Sequence, residues 1–541
     1  MERKLFGLSM SDRIKKNFLY IVLIILISIP AIIPLFNKGF FVTDDAEWMI
    51  IRFSAFHQAL RDGQFPVRFL GRLNQEYGYP VANFLYPGFM YFTESIHVIG
   101  YGFIDSIKIL LVLSMILSGV FTYLWLKKFF DKVASLVGAL FYIYTPYHLY
   151  DLYKRGSVGE ILALAIVPFI FWQLERKNIL WSAIGIGALI ISHNTLAVLF
   201  LGLIICYLAL DFVIAKNNEQ KKLLVNYLAI LLLGIGTSAF FWLPAIYELQ
   251  YTVFAKTTVS NWREYFAPIS LIGHSTFIVL ILIIFNFLTK RIILKKHRLT
   301  VLLFLICIAS IFFSTSASYQ LWNILPINFI QFPFRILSLV ILCTAFLSAV
   351  SISVLKGKFK FITAVALIII LIFSASPFLN PTIHFDKEDG YYSTNMATTT
   401  VQDEYMPLWV KQKPLQRPEK KVETINGEGS IENVNYNSKQ ISFAVNLKKD
   451  TIIQVNTIYW PGWSAFVDGK KVDIRYNNPG GVMQLSIPPR NHNVILMFEE
   501  TPMRLFADTI SLLSLLILIF ITYVTHFVIP GRKPGIYLAS D

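Results

Sequence analysis

Two adjacent acids, Asp44 and Asp45, stand a few residues past the first long apolar run, and acids at a membrane surface are seldom without a use. A carboxylate there can take a proton from a hydroxyl or ligate a metal ion. Further along, Asp151-Leu-Tyr-Lys-Arg-Gly-Ser-Val-Gly-Glu160 leads straight into an apolar run, and Gln331-Phe-Pro-Phe-Arg335 opens another. Arg155 and Arg335 can each grip a phosphate through a planar fork of donors, and the helix start after Arg155 adds backbone N–H groups for an anion. Glu160 falls just below the surface, where an acid needs a partner. His193-Asn194 interrupts the apolar region 184–210 and can serve as a ligand or substrate contact. Tyr79, in Tyr77-Gly-Tyr-Pro-Val-Ala-Asn-Phe-Leu-Tyr-Pro87, belongs to an aromatic stretch able to line a groove for a sugar or an isoprenoid.

Each of these residues also has a plainer reading. Asp44 with Glu47 three residues on makes a capping box for a helix whose apolar positions Trp48, Ile51, Ala55 and Ala59 suit a helix lying on the membrane. Arg155 can pair with Glu160, His193 can be a hydrogen-bonded turn residue, and Tyr79 can sit in an interfacial aromatic belt. Arg335, inside an apolar stretch, demands an anionic partner: an acid of another helix or a phosphate group.

The elements that must position these side chains follow from composition. Of 541 residues, 55% are hydrophobic and 15% charged, against about 25% charged in an ordinary soluble domain. With a mean hydropathy of +0.58 and repeated apolar runs such as 18–36, 107–126, 224–242 and 505–528, the chain reads as a polytopic membrane protein. The net charge of +15 does not point to nucleic acid. Basic residues cluster in short segments between alternate runs (Lys127, Lys128 and Lys132; Arg176 and Lys177; Lys216 to Lys222; Lys290 to Arg298; Lys356 to Lys360) and near the ends, at Arg13, Lys15, Lys16, Arg532 and Lys533. That asymmetry is the positive-inside pattern. It predicts about twelve spans in the cell membrane, both termini cytoplasmic, and the long first loop, residues 37–105, outside. The first run is too long for a cleaved signal peptide.

Three units are expected: a multi-span domain over 1–380, a β-rich extracytoplasmic domain over 381–503, and a last span with a short tail over 504–541. In the second, short alternating stretches at 440–445, 452–458, 465–467, 484–487 and 493–498 are separated by turn residues, as in an antiparallel sandwich. Asp468-Gly469 marks a tight hairpin, Pro479-Gly480-Gly481 another turn, and Trp460 and Trp463 are hairpin core contacts or a sugar-stacking surface. Cys206, Cys307 and Cys343 all lie in apolar runs, too far apart for a metal motif. The absence of an internal repeat weakens a transporter reading.

The ordered set resembles one family. An acid after the first span, Gly63-Gln-Phe-Pro66, the Gly-Tyr-Pro stretch, Arg155-Gly-x-x-x-Glu160, Ser192-His-Asn194, Gln331-Phe-Pro-Phe-Arg335, Glu404-Tyr-Met-Pro407 and Tyr459-Trp-Pro-Gly-Trp-x-x-x-Val-Asp-Gly469 together look like the YfhO-like bacterial membrane proteins. That group falls in the GT-C glycosyltransferase superfamily, and some of its members are labelled 6-pyruvoyl-tetrahydropterin synthase-related. The resemblance implies a GT-C-like helical domain and transfer of a sugar from a polyprenyl-phosphate-linked donor, outside the cytoplasm, to an envelope glycan or teichoic-acid-like acceptor. It implies a base at Asp44 or Asp45. Where many relatives carry a His shortly after that acid, this chain has Trp48-Met49, which speaks against a metal at this loop. A divalent cation is the one cofactor left open. The pterin label carries no chemistry here, since the nine histidines are scattered rather than clustered as zinc ligands. Two rivals remain: a flippase or transporter of lipid-linked sugars, and a non-catalytic envelope-assembly protein.

Overall fold

The structure, a computed structural model, describes residues 10–256, 262–293, 297–381 and 384–524. Arg532 and Lys533 lie outside the described residues. Among the described residues, seven helices are long and apolar enough to cross a bilayer: Phe18–Phe36, Phe103–Leu126, Val158–Glu175, Asn194–Ile214, Pro333–Ser353, Gly357–Phe378 and Pro502–Tyr523. Two helix pairs, Asn217–Thr237 with Ala239–Tyr251 and Arg298–Ser314 with Ser316–Ile324, bend by 65° and 80° and raise the number to nine if each is one span. The chain is therefore mostly helical with seven to nine candidate spans. Two shorter apolar helices, Ile179–Ser192 and His274–Leu288, stand outside that number, and the region 184–210 divides at His193 into Ile179–Ser192 and Asn194–Ile214. The span Pro333–Ser353 is the axis of the bundle, with 89% of its apolar window buried, whereas Pro502–Tyr523 runs along the rim at 17%.

The helix that starts at the acid pair, Ala46–Arg61, corrects two expectations. It does not lie on the membrane: ten of its sixteen residues are buried, including Ile51, Ala55 and Ala59 of the apolar stripe, because other parts of the chain cover it. Nor does either acid cap it. Thr43 Oγ1 accepts from Ala46 N at 2.9 Å, and neither carboxylate bonds a backbone N–H of the first turn. The loop is drawn back to the chain beyond the bundle by a two-residue antiparallel pairing of β1 (Phe40–Phe41) with β2 (His384–Phe385). Just beyond, Asp389 accepts from Phe103 N at 2.7 Å and Ile104 N at 3.2 Å, so a residue far along the chain caps the span Phe103–Leu126.

Strands β3 (Val422–Asn426), β4 (Gly429–Tyr436), β5 (Gln440–Leu447), β6 (Thr451–Ile458), β7 (Trp463–Val467), β8 (Lys470–Val472), β9 (Val482–Ile487) and β10 (Arg490–Phe498) form two antiparallel sheets. Their orders are β4-β5-β10-β7-β8 and β3-β6-β9. Alternate residues such as Ile441, Phe443, Val445 and Leu447 point into a shared core with Trp460 and Trp463, which are core side chains. The β7–β8 turn is made by Asp468 and Gly469, both at positive φ (48° and 77°), as a tight hairpin requires.

The long first loop, residues 37–105, plugs this sandwich rather than forming an aromatic belt or an open groove. Phe69 enters the β-core, 5.4 Å from Phe498 between ring centroids, and Phe84 stacks on Tyr405 at 4.9 Å with its edge to Trp460. Tyr79, fully buried, bonds Thr400 Oγ1 and accepts from Tyr405 N, both at 3.0 Å. A buried ionic lock holds the same junction: Arg504 donates twice to Glu248 at 2.8 Å, Asn83 Nδ2 donates to Glu248 at 2.8 Å, and Arg68 reaches Glu500 at 3.2 Å and Asp508 at 3.1 Å.

Removing one member of a buried pair leaves an uncompensated charge, which costs about 3–5 kcal/mol. Arg504→Met is accordingly expected to lower the thermal unfolding temperature of the detergent-solubilised chain markedly. Glu248→Gln in the same molecule should restore part of that loss, and no restoration would mean that Arg504 acts through packing alone.

Candidate active site

The cluster begins with a turn that only glycine closes. Residues Asp151–Arg155 make a single wide helical turn ended by Gly156 at φ +63°, whose N–H bonds Asp151 O. A Cβ on Gly156 would stand 2.4 Å from Thr43 Oγ1, so the missing side chain lets the acid loop close onto the turn. Asp44 N then donates to Lys154 O at 3.0 Å and Asp45 N to Arg155 O at 2.9 Å, which fixes the acid pair beside Arg155. The span Val158–Glu175 follows, with Glu160 in its first turn, where the helix dipole favours an acid. Gly159 admits Tyr86 and Ser192 O, which a Cβ would meet at 2.1 Å and 2.5 Å.

Glu160 is wholly buried and is the hub. Oε1 accepts from Arg335 Nε at 2.8 Å and from Arg155 Nη1, and lies 3.4 Å from His193 Nε2; Tyr147 donates to Oε2 at 3.3 Å. Arg155 also reaches Asp151 Oδ1 at 2.9 Å and Asp45 Oδ2 at 3.5 Å. Arg335 Nη1 donates to Ile330 O at 2.9 Å and to Gln331 Oε1 at 3.1 Å. Gln331 sits at φ +66°, a strained conformation for a residue with a side chain, and the bonds around Arg335 help hold it there. The rings of Phe332 and Phe334 lie 5.6 Å and 5.2 Å from the Arg155 guanidinium, and Phe332 lies 5.0 Å from that of Arg335.

Five of the site residues expected from sequence thus meet in space with Asp45: Arg155, Glu160, His193, Gln331 and Arg335. Two expectations change. Arg335 has an acid of another helix as its partner, so its Nε, like Arg155 Nη1, is already engaged. Tyr79 is outside this network, its hydroxyl bonded to the 400–405 segment. Asp44 is near the cluster but faces outward: it is half exposed and pairs at 2.9 Å with Lys154, itself exposed, whereas Asp45 is one-third exposed.

Three participants carried no signal in the sequence reading. Asp151 is fully buried, and burial together with Glu160 pushes its carboxyl well above the usual carboxylate range while Oδ2 has no hydrogen-bond partner. Tyr147 completes the hub. Arg52, two turns along the helix from Asp45, is buried with Thr399 Oγ1 at 2.9 Å, Thr399 O and Met49 Sδ as its bonding partners, and no carboxylate pairs with it among the described residues. An arginine inside an apolar helical stripe is the sequence signal that could have found it. Among the described residues, no group of three or more His, Cys, Asp or Glu is arranged to hold a metal ion.

His193 Nδ1 accepts from Leu196 N at 3.3 Å, which leaves the ring proton on Nε2, aimed at Glu160. Burial, reinforced by Arg335 and Arg155 and opposed by Glu160, pushes the ring down to about 3. The folded value lies below the unfolded one, so this contribution is complete above about pH 6.5 and is lost as pH falls towards about 3. His193→Gln keeps a donor but cannot titrate. Between pH 7.5 and 5 the parent should lose about 2 kcal/mol more stability than the variant, read from unfolding of the solubilised chain. Parallel curves would show that His193 is charged in the fold.

Residues 85–386, more than half of the chain and including Arg155, Glu160, His193, Gln331 and Arg335, match the family described as "6-pyruvoyl-tetrahydropterin synthase related domain; membrane protein". A protein of Lactococcus lactis subsp. cremoris, described as uncharacterized, is 26% identical over 261 residues, which are 46% of this chain and 42% of that one. The match thus spans about two-fifths of that relative. Among solved structures, the mycobacterial arabinofuranosyltransferase AftD is similar at a TM-score of 0.43 and 13% identity over 70% of this chain and 28% of that one. A mutant form of AftD gives 0.42 and 12%, over 70% and 29%. The chain is a multi-pass membrane protein that belongs to the 6-pyruvoyl-tetrahydropterin synthase related domain family.

Proposed function

We propose that the chain is a membrane glycosyltransferase that moves a sugar from a polyprenyl-phosphate carrier to a hydroxyl of an envelope glycan on the outer face, inverting the anomeric carbon. The observation that carries this reading is Asp45: a partly exposed carboxylate fixed by its backbone bond to Arg155 O and by Arg155 Nη2, at the edge of a buried cluster of paired charges. Asp45 takes the proton of the acceptor hydroxyl as its oxygen bonds the anomeric carbon. The bond from that carbon to the carrier phosphate breaks, and the polyprenyl phosphate leaves with the bonding electrons. Its charge meets Arg52, which has no acid partner among the described residues, and the face of Arg335 that Glu160 leaves free. Arg155 and Glu160 position these groups rather than touch the reacting atoms. A divalent cation, if bound, would supply further charge stabilisation at the leaving phosphate.

Loss of a general base typically costs about 10²- to 10⁴-fold in rate. Asp45→Asn is expected to reduce sugar transfer by purified protein from a synthetic polyprenyl-phosphate donor by that factor, with Asp44→Asn much milder. The reverse ranking assigns the base to Asp44. Full transfer in the double variant removes both acids from the mechanism. Movement of lipid-linked sugar across a vesicle bilayer with no transfer would make the chain a flippase.

A further inference from the structure

A second site lies where the first outer loop meets the sandwich. Helix Ala46–Arg61, the segment around Arg72, residues 393–396 and strands β4, β6 and β7 enclose a cavity of about 370 Å³. That volume accommodates a mono- or disaccharide. Two cations line it, and neither has an ion-pair partner among the described residues. Arg72 donates to Ser54 Oγ at 2.6 Å and to backbone carbonyls of Ile51, Tyr392 and Ser393, while its Nε is buried and unbonded. Lys421 Nζ donates to Glu76 O at 2.6 Å and Asn456 O at 3.0 Å. The one carboxylate close to Lys421, Glu76, is committed to Arg417 at 2.8 Å, and Asp62 across the cavity accepts from Ser438 N at 2.8 Å.

The remaining wall suits a sugar. Thr457 and Trp463, at 2% and 5% exposure, are among the lining residues. Tyr436 stands at the mouth, its ring centroid 5.3 Å from Lys421 Nζ, and offers a face for stacking. We propose that this cavity binds a sugar unit carrying a phosphate or carboxylate group, part of the polymer on which the chain acts. The assignment to that polymer rests on the glycosyl-transfer reading, whereas binding itself does not. Burial pushes Lys421 down to about 7, against the opposing pull of Glu76 and alongside Arg417. Glu423, Tyr436, Asp62 and Arg72 are the other ionisable groups around it. A bound anion raises Lys421 again, so binding above neutral pH takes up a proton and below it does not.

Calorimetric titration of the full-length solubilised chain with glucose 1-phosphate, glucuronate, glucose and inorganic phosphate tests this. The two sugar anions should bind at least about tenfold tighter than glucose or inorganic phosphate, with proton uptake at pH 8 that is absent at pH 6. Lys421→Met and Tyr436→Ala should each weaken binding about tenfold or more. Tyr436 is exposed, so its loss leaves the fold intact and keeps the test valid if Lys421→Met misfolds. No binding, equal binding of inorganic phosphate, or binding indifferent to both variants overturns the proposal. Such a failure with sugar transfer intact leaves the catalytic reading standing. Loss of transfer only in Asp45→Asn, with these affinities unchanged, keeps the two sites distinct.

Discussion

A carboxylate held away from water between two guanidiniums is the constraint on which the rest of this molecule depends. Taking Glu160 out of water costs several kcal/mol, and only close cations with good geometry offset it. Arg155 comes from the turn just before it and Arg335 from the start of the axial span, 175 residues along the chain. Neither can withdraw without stranding a buried charge, so the first turns of two central spans are pinned at one point. The glycines at 156 and 159 and the left-handed backbone at Gln331 are consequences of that pinning. Each admits a close approach or an unfavourable angle that an isolated segment would avoid.

A second lock acts at the other side of the outer loop. Phe69 and Phe84 are buried with the sandwich, and Arg504 crosses back from the last span to Glu248. The loop is thus gripped between the bundle and the sandwich, which explains why its helix is covered by protein rather than by lipid. Dispersion contacts of the aromatic rings supply much of the attraction, while the ionic lock gives register. Mismatched walls where a helix meets the edge of a β-sandwich leave the cavity lined by Arg72 and Lys421.

What could be read from sequence divides by range. Local chemistry was legible: the positive-φ hairpin at Asp468-Gly469, the helix break at His193 and the core placement of Trp460 and Trp463 follow from neighbours a few residues apart. The need of Arg335 for an anion was legible too, but not which anion, because Glu160 is remote in sequence and a phosphate satisfies the same rule. The apolar stripe on residues 46–61 was correct as a pattern and wrong as an address, since periodicity does not distinguish lipid from protein cover. The capping box failed because Thr43, one residue earlier, reaches the helix start first.

Charge balance decides how such a cluster treats a phosphate. Arg155 and Arg335 face Glu160, Asp45 and Asp151, the last with its carboxyl pushed up by burial and by Glu160. These arginines are thus largely committed to acids of the chain itself. Arg52 adds a further positive charge: it lies two turns from Asp45 and has no carboxylate partner among the described residues. In a low-dielectric setting that charge is worth more than several screened by water. It sits on the helix that Asp45 precedes, so the spacing of the two residues is set by helix geometry. Asp45 thus stands at the start of a helix that carries, two turns on, a buried arginine with no carboxylate partner among the described residues.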